Sequence, residues 1–530
     1  MNASLSGALR VPASADAPVY ASDPLASPKA TPTSLEVAPH PAADFSDTSC
    51  TAARHAAYGT GKPEVLAPAG NLATLKTAID FGADAVYCGG QEFGMRSAPK
   101  NFTLEDFEQA VRYAHARHAR VYATCNILPS SDEVPRMNAY MGELEQIGVD
   151  ALIISDIGVL MAARTVAPHT QLHVSTQAGV TNYQTARALV ELGASRIVLA
   201  RELDLEAIRA IRANLGQQIE LEAFVHGSMC MAFSGRCLIS QHLTGRDANH
   251  GDCVQACRYK YHVVEEKRPN EFIPVEVSEQ GTFLFNSQDM NLLEHVDDIL
   301  DAGVTSLKIE GRAKGAYYAA VTANAYKCAV NEYLAQREAG NVQSLALPQW
   351  LREEPYKVTH REYSTGFYYR QHPASESVTR GGYINEWRWL GTVLGCDEEC
   401  GAGERCGEEE RRGRDKERQE SVGSGCDDAR SGSGVECCER AECGSSEERR
   451  ESERRLRIFA RNKIAPGMEI EFLAPARPPI KYRVPAAGLC DGEGNPVDQI
   501  NNPAHEFSLP LLGAEYIPAG AMIRARVKQA

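Results

Sequence analysis

Between residue 63 and about residue 340, eight short apolar runs alternate with stretches of helical period, and nothing else in the chain limits the fold as strongly. The runs are Glu64–Ala69, Ala83–Tyr87, Arg120–Leu128, Ala151–Ser155, Gln171–Ser175, Arg196–Ala200, Ile219–Val225 and Ser306–Ile309. Segments such as Leu104–His118 separate most of them, with apolar residues three and four apart, as on one face of a helix. Strands alternating with helices predict a parallel α/β fold, and a count of eight predicts a closed (β/α)8 TIM-like barrel over 63–345. The alternative is an open doubly wound sheet, but the chain has no GxGxxG turn of the dinucleotide-binding kind.

The flanking regions read differently. Residues 346–395 and 456–530 carry runs such as Trp389–Leu394, Arg457–Ala460 and Met468–Leu473, separated by Gly and Pro turns. They predict a small C-terminal β-barrel-like domain. Residues 396–455 interrupt it with 19 Asp/Glu, 12 Lys/Arg and seven cysteines. A metal or redox loop is one reading of that segment. The cysteine spacings are irregular and no histidine is present, which favours a solvated low-complexity insertion in a hairpin. Residues 1–62, rich in Ala, Ser, Pro and Thr, cannot bury enough apolar area to offset their ordering entropy and read as a disordered leader.

The net charge of −15 argues against a broad nucleic-acid-binding surface, though residues 396–455 contribute −7 of it and a local basic patch stays open. No apolar run approaches the roughly 18–20 residues that span a bilayer, and the N-terminus has no secretory pattern, so the expected location is the cytoplasm. The 16 cysteines are then read as thiols or metal ligands rather than disulfides.

Chemistry in such a barrel sits at the C-terminal ends of the strands. Polar residues cluster there: Cys88, Asn126, Asp156, Ser175, Gln177, Arg201, Glu202, His226, Glu310 and Arg312. Cys230, Cys237, Cys253 and Cys257 follow the seventh run at C-x6-C-x15-C-x3-C spacing, four thiols within 28 residues of a Gly-studded loop. Four thiolates suit either zinc or an iron–sulfur cluster; structural zinc prefers two close pairs, and only Cys253 and Cys257 form one. His226 is a candidate proton carrier or substrate ligand, or else orients the loop. By the two-residue period it shares a face with Glu222 and Phe224. Glu310 and Arg312 either act on a carboxylate substrate or close the barrel as an ion pair. Ser175 and Gln177 face one way and can hydrogen-bond a small substrate. Arg201 and Arg246 are candidate carboxylate or phosphate contacts, with salt bridging as the plainer role. Aromatic and basic residues in RYKY (258–261) and HREY (360–363) are candidate RNA contacts.

The segment EAFVHGSMCMAFSGRCLIS, from Glu222, resembles the signature of the collagenase-like peptidase family U32. PEVLAPAGN near 63, FNSQDMNLL near 285, SLKIEGRAKGAYYAAVTANAY near 306 and HREYSTGFYYR near 360 agree with it. The resemblance covers 63–395 and, more weakly, 456–530, and it is densest with the family's tRNA-hydroxylating branch. It implies a 4Fe–4S cluster on Cys230, Cys237, Cys253 and Cys257, with Cys88 and Cys125 as reserve ligands. It also implies oxygen-independent 5-hydroxylation of the tRNA wobble uridine with prephenate as co-substrate. Proteolysis, or hydroxylation of ribosomal RNA or a quinone precursor, are the alternatives. The chain contains no HExxH or GxSxG for a peptidase to use.

Overall fold

A computed structural model describes residues 62–94, 101–230, 237–248, 252–258, 263–264, 272–273, 288–341, 344–369, 383–397, 454–501, 503–511 and 516–527. The leader and nearly all of the Cys-rich insertion therefore lie outside the described residues. Each predicted run forms a strand: β1 (Glu64–Ala69), β2 (Ala85–Gly89), β3 (Arg120–Cys125), β4 (Ala151–Ile154), β5 (Gln171–Val174), β6 (Arg196–Val198) and β7 (Glu220–Ser228), then, after β8 (Asp289–Asn291), β9 (Ser306–Ile309). The strands β1 to β7 and β9 are parallel, and β9 pairs with both β7 and β1, which closes an eight-stranded barrel.

Helices α1 (Leu72–Asp80), α2 (Leu104–His115), α3 (Val134–Ile147), α4 (Ile157–Val166), α5 (Tyr183–Glu191) and α6 (Leu205–Leu215) cover the outside. Most start where the sequence offers a cap. Asn71, Asp156, Asn182 and Asp204 each accept a backbone N–H in the first turn, and Thr103 with Asp106 forms a reciprocal capping box. Their apolar faces bury against the outward residues of the strands, including Val65, Val121, Leu152 and Ile197.

The inward residues divide into layers. At the N-terminal end lies a buried charge network. The Arg196 guanidinium meets Glu64 at 2.7 Å, Glu220 at 2.7 Å and Glu222 at 3.0 Å, and it is fully buried. Arg120 also pairs with Glu64, while the hydroxyls of Ser306 (2.8 Å) and Tyr122 (2.6 Å) donate to it. Burial pushes the Glu64 carboxyl up, but the charges of Arg196 and Arg120 outweigh that and hold it near 2. Above the network, Leu66, Ala85, Tyr87, Tyr122, Ala151 and Ile153 fill the middle.

The C-terminal region begins with α7 (Ile239–Thr244) on the cysteine loop, α8 (Val296–Asp301) and the long α9 (Ala316–Glu338), with α10 (Gln349–Glu353) and β10 (Tyr363–Ser364) beyond. It continues through β11 (Trp387–Asp397), β12 (Arg455–Ala460), β13 (Glu469–Leu473), β14 (Ile480–Arg483), β15 (Cys490–Asp491), β16 (Glu506–Pro510) and β17 (Met522–Arg526). The last seven make one antiparallel sheet in the order β14-β13-β17-β11-β12-β16-β15. The expected barrel-like domain is thus a sheet curled around its own core. The outer strands β14 and β15 do not pair with each other among the described residues, although the Tyr482 hydroxyl of β14 donates to the Pro510 carbonyl of β16. Cys396 and Leu456 are direct partners across β11 and β12, so the acidic, Cys-rich segment grows from a hairpin tip. The sheet docks on the barrel through buried charge. Arg524 donates to Glu354 at 2.6 and 2.7 Å and to Glu471 at 2.8 and 3.0 Å, and Lys357 meets the same two carboxylates at 3.1 and 3.0 Å.

Candidate active site at the barrel mouth

The polar layer at the C-terminal end of the barrel is built by β2, β3, β5, β7 and the turns after β6 and β9. Arg201, just past β6, lies with its guanidinium carbon 3.9 Å from the centre of the Phe224 ring. From there it meets the Glu310 carboxylate at 3.7 Å and donates to the Cys230 sulfur at 3.9 Å. Its buried Nε has no hydrogen-bond partner among the described residues. The Tyr87 hydroxyl lies 3.0 Å from the Ile309 carbonyl and 3.3 Å from Glu310. Arg312 donates to the Thr124 hydroxyl at 3.1 Å. Gly89 makes room for it: a Cβ there would stand 2.5 Å from an Arg312 nitrogen. Around the rim the Asn126 amide donates to Gln177 at 2.5 Å, and the Ser175 hydroxyl donates to the same oxygen at 3.2 Å.

The structure therefore gathers Ser175, Gln177, Arg201, Glu310, Arg312 and Cys230 at one end of the barrel. Tyr87 and Thr124 join them, although as members of apolar runs they stood out only by their period-two alignment with Gly89 and Asn126. Lys308, one layer down, donates to Glu222 at 2.5 Å and lies 4.5 Å from the Tyr87 ring centre, linking the charge network to the mouth.

His226 is not in the mouth. The register between β7 and β9 slips at Lys308/Ile309, so Phe224 is opposite Lys308 while His226 is opposite the outward Ile309. The bulge breaks the period-two alignment that put His226 with Glu222 and Phe224. The ring packs instead between Tyr326 (5.5 Å) and Tyr318 (6.0 Å) of α9 and Tyr363 of β10 (5.5 Å). Burial, with Asp289 pulling the other way, lowers its pKa to about 4. It is a neutral core histidine. His360 and Arg361 of HREY are likewise buried: Arg361 binds Asp289 at 2.7 and 2.9 Å, and His360 stacks on the half-buried Tyr363 at 4.3 Å. Of RYKY, no side chain is described. Arg246 lies on the cysteine loop, ion-paired with Asp252.

Cys230 lies two residues past the end of β7 and is exposed; Cys253 is exposed, and Cys237 and Cys257 are half-buried. The Cys253 sulfur accepts from the Gln255 backbone N–H at 3.4 Å and from the Ser240 hydroxyl at 3.8 Å. Among the described residues no three His, Cys, Asp or Glu side chains stand together as a formed metal site. The donor set nevertheless fits a thiolate-bound centre, since all four side chains reach solvent and two sulfurs already accept hydrogen bonds of the kind that tune such centres. Sites of this type seldom exist preformed without the metal that draws them together. The reserve ligands fit less well. Cys88 and Cys125 are sealed in the core between strands and helices, and burial pushes both thiols up, Cys125 to about 12.

Comparison with known proteins places this geometry in a family. The chain is 36% identical over 342 residues to tRNA hydroxylation protein P1 of Bacillus subtilis, covering 64% of this chain and 79% of that one. It is 44% identical over 277 residues to tRNA hydroxylation protein P of Helicobacter pylori, covering 51% of this chain and 65%, just under two thirds, of the relative. It is 40% identical over 255 residues to the 23S rRNA 5-hydroxycytidine C2501 synthase of Escherichia coli, covering 48% and 37% of the two chains. The solved U32 peptidase Mk0906 covers 47% of this chain and 93% of its own at 17% identity, with a TM-score of 0.32. The peptidase family U32 model matches residues 70–378, the barrel after β1 with its cysteine loop, and the family's C-terminal domain model matches 442–524. The chain belongs to peptidase family U32.

Proposed function

We propose that this chain is an RNA hydroxylase working at the barrel mouth, and that it converts the wobble uridine of tRNA from C5–H to C5–OH without dioxygen, using prephenate as co-substrate. The observation that carries the reading is the Cys230 thiol beside Arg201, which in turn meets Glu310, so that the start of the cysteine loop lies against the polar end of the barrel. The names of the relatives, two for tRNA hydroxylation and one for an rRNA hydroxycytidine synthase, support RNA as the substrate class.

Cys230, Cys237, Cys253 and Cys257 would hold a 4Fe–4S cluster, which when bound supplies one-electron transfer next to the mouth. The protein's own groups do the rest. Arg201, with a buried N–H still unsatisfied, and Arg312 offer two guanidinium forks to a dicarboxylate such as prephenate. Tyr87 and Glu310, 3.3 Å apart, form a hydroxyl–carboxylate pair able to hold or pass a proton. The Asn126, Ser175 and Gln177 rim offers the donors and acceptors that a uracil edge requires. A wobble base is single-stranded, so it reaches such a pocket without unpairing a duplex. Proteolysis would need an activated nucleophile with its base. His226, four residues before Cys230, faces α9 instead.

The test is nucleoside mass spectrometry of tRNA from cells lacking the gene. Loss of 5-hydroxyuridine derivatives, restored by the wild-type chain and not by Cys230→Ala, is expected. An unchanged 5-hydroxyuridine level would remove the tRNA substrate, and full iron content in Cys230→Ala would remove the ligand assignment.

A further inference from the structure

Away from the mouth, the C-terminal sheet carries a cleft of about 1250 Å³, on the face reached from β11, β13, β14 and β17. That exceeds the roughly 300–1,000 Å³ of an ordinary small-molecule pocket, so its dimensions suit a length of polymer.

Four cations line it, Arg388, Lys463, Arg483 and Arg526, against two carboxylates, Glu386 and Glu469. Arg388, Lys463 and Arg483 are exposed and have no ion-pair partner among the described residues. Arg526 meets Glu386 at 2.9 Å, with 69% and 40% of the two side chains exposed, and a pair that open exchanges readily with a phosphate. This concentration of positive charge belongs to a chain whose net charge is −15.

The cleft also borders the barrel. Tyr383 on its wall is 46% exposed, and the Lys314 ammonium stands 4.7 Å from that ring. Lys314 is two residues past Arg312 of the mouth, so one turn of chain joins the two sites. A cationic groove with an aromatic platform at its edge is how single strands are held without base readout. Asn385 and Asn462 add neutral hydrogen-bonding groups to the same wall.

Resting on the reading of the mouth as an RNA-modifying site, we propose that this cleft binds the ribose–phosphate backbone of the substrate RNA beside the modified nucleotide. Tyr383 stacks on a flanking base, and Arg388 and Arg483 neutralise phosphates.

The experiment is equilibrium binding of an unmodified tRNA transcript to the anaerobically purified full chain, across a salt series. Compared are wild type, Arg388→Glu/Arg483→Glu, Arg388→Lys/Arg483→Lys and Tyr383→Ala, each with its thermal midpoint. Expected are a loss of at least about tenfold in the charge-reversed protein and a salt slope lowered by about two, one for each phosphate contact removed. The Lys/Lys protein should stay within a few-fold of wild type. Wild-type-like binding by the charge-reversed protein overturns the cleft assignment and leaves the hydroxylase reading standing. Failure of wild type to bind RNA at all overturns both. Equal binding of polyglutamate of matched length would reassign the cleft to an acidic polypeptide and overturn the RNA proposal.

Discussion

Replacing Arg196 by Met tests whether the barrel is held at its base by charge. The substitution keeps an unbranched chain of similar reach and removes the cation that three carboxylates share. Glu220 is 26% exposed on its side chain and recovers water. Glu64 keeps Arg120, and Glu222 keeps Lys308, so neither is left without a cation. Stranding a buried charge completely costs about 3–5 kcal/mol, and the surviving partners place this variant at the lower end, about 3 kcal/mol. The Glu64 titration gives an independent figure. A carboxyl moved from 4.5 to about 2 is worth about 3 kcal/mol at neutral pH, at about 1.4 kcal/mol per unit. Because the folded value is the lower one, that contribution is complete above pH 4.5 and disappears as pH falls toward 2. Arg196→Met should therefore lower the thermal midpoint by about 6–12 °C at pH 7, taking about 2–4 °C per kcal/mol for a domain of this size. It should also shift acid unfolding to higher pH, since Glu64 then protonates sooner. Circular dichroism melts from pH 2 to 7 measure both effects. A midpoint within 2 °C of wild type and an unmoved acid limb would refute the view that Arg196 sets the charge state of the base.

Other outcomes follow from the mouth and the docking surface. Gly89→Ala drives a methyl group into the Arg312 guanidinium, so turnover should fall at least about tenfold while the midpoint shifts little; unaltered kinetics would show that the position of Arg312 does not matter. Arg524→Ala leaves Glu354 and Glu471 with only Lys357, and calorimetry should show the single transition splitting or falling by about 3–5 kcal/mol. His226→Asn should leave the pH–rate profile between pH 5 and 9 unchanged, because the ring is already neutral there; a displaced acidic limb would return His226 to catalysis. Cys88 and Cys125 should resist alkylation at pH 8 in the native protein, read by peptide mass mapping, and rapid labelling of either would contradict their sealed position.

The barrel was legible because each strand buries its outward face, so its apolar run survives in the sequence whatever fills the interior. The inward positions carried less signal. Glu222 and Lys308 each fall on a period-two face, but their pairing joins residues 86 positions apart, and only closure of the barrel brings them together. Asn126, Ser175, Arg201, Glu310 and Arg312 were legible as polar residues ending apolar runs. Tyr87 was hidden by being aromatic inside such a run. His226 was misplaced for a local reason. Gly227 adopts φ +101° and the strand bulges just before it, and a bulge of one residue reverses every side chain beyond it without altering the composition. The HREY motif misled in another way: its charges look like surface chemistry until Asp289, some 70 residues earlier, is found to neutralise Arg361.

The ionic base and the packed tyrosines above it also decide the traffic through this molecule. Arg196, Tyr122 and Leu66 are fully buried in the barrel, so the described side chains plug its interior below the mouth, and a reactant at the mouth enters and leaves by the same door. A macromolecule resting across that door would trap whatever already sat beneath it and turn away whatever came late. On the proposed reading, in which a small co-substrate acts with RNA, the small reactant is first in and last out, an order that initial-rate kinetics with both reactants varied would reveal.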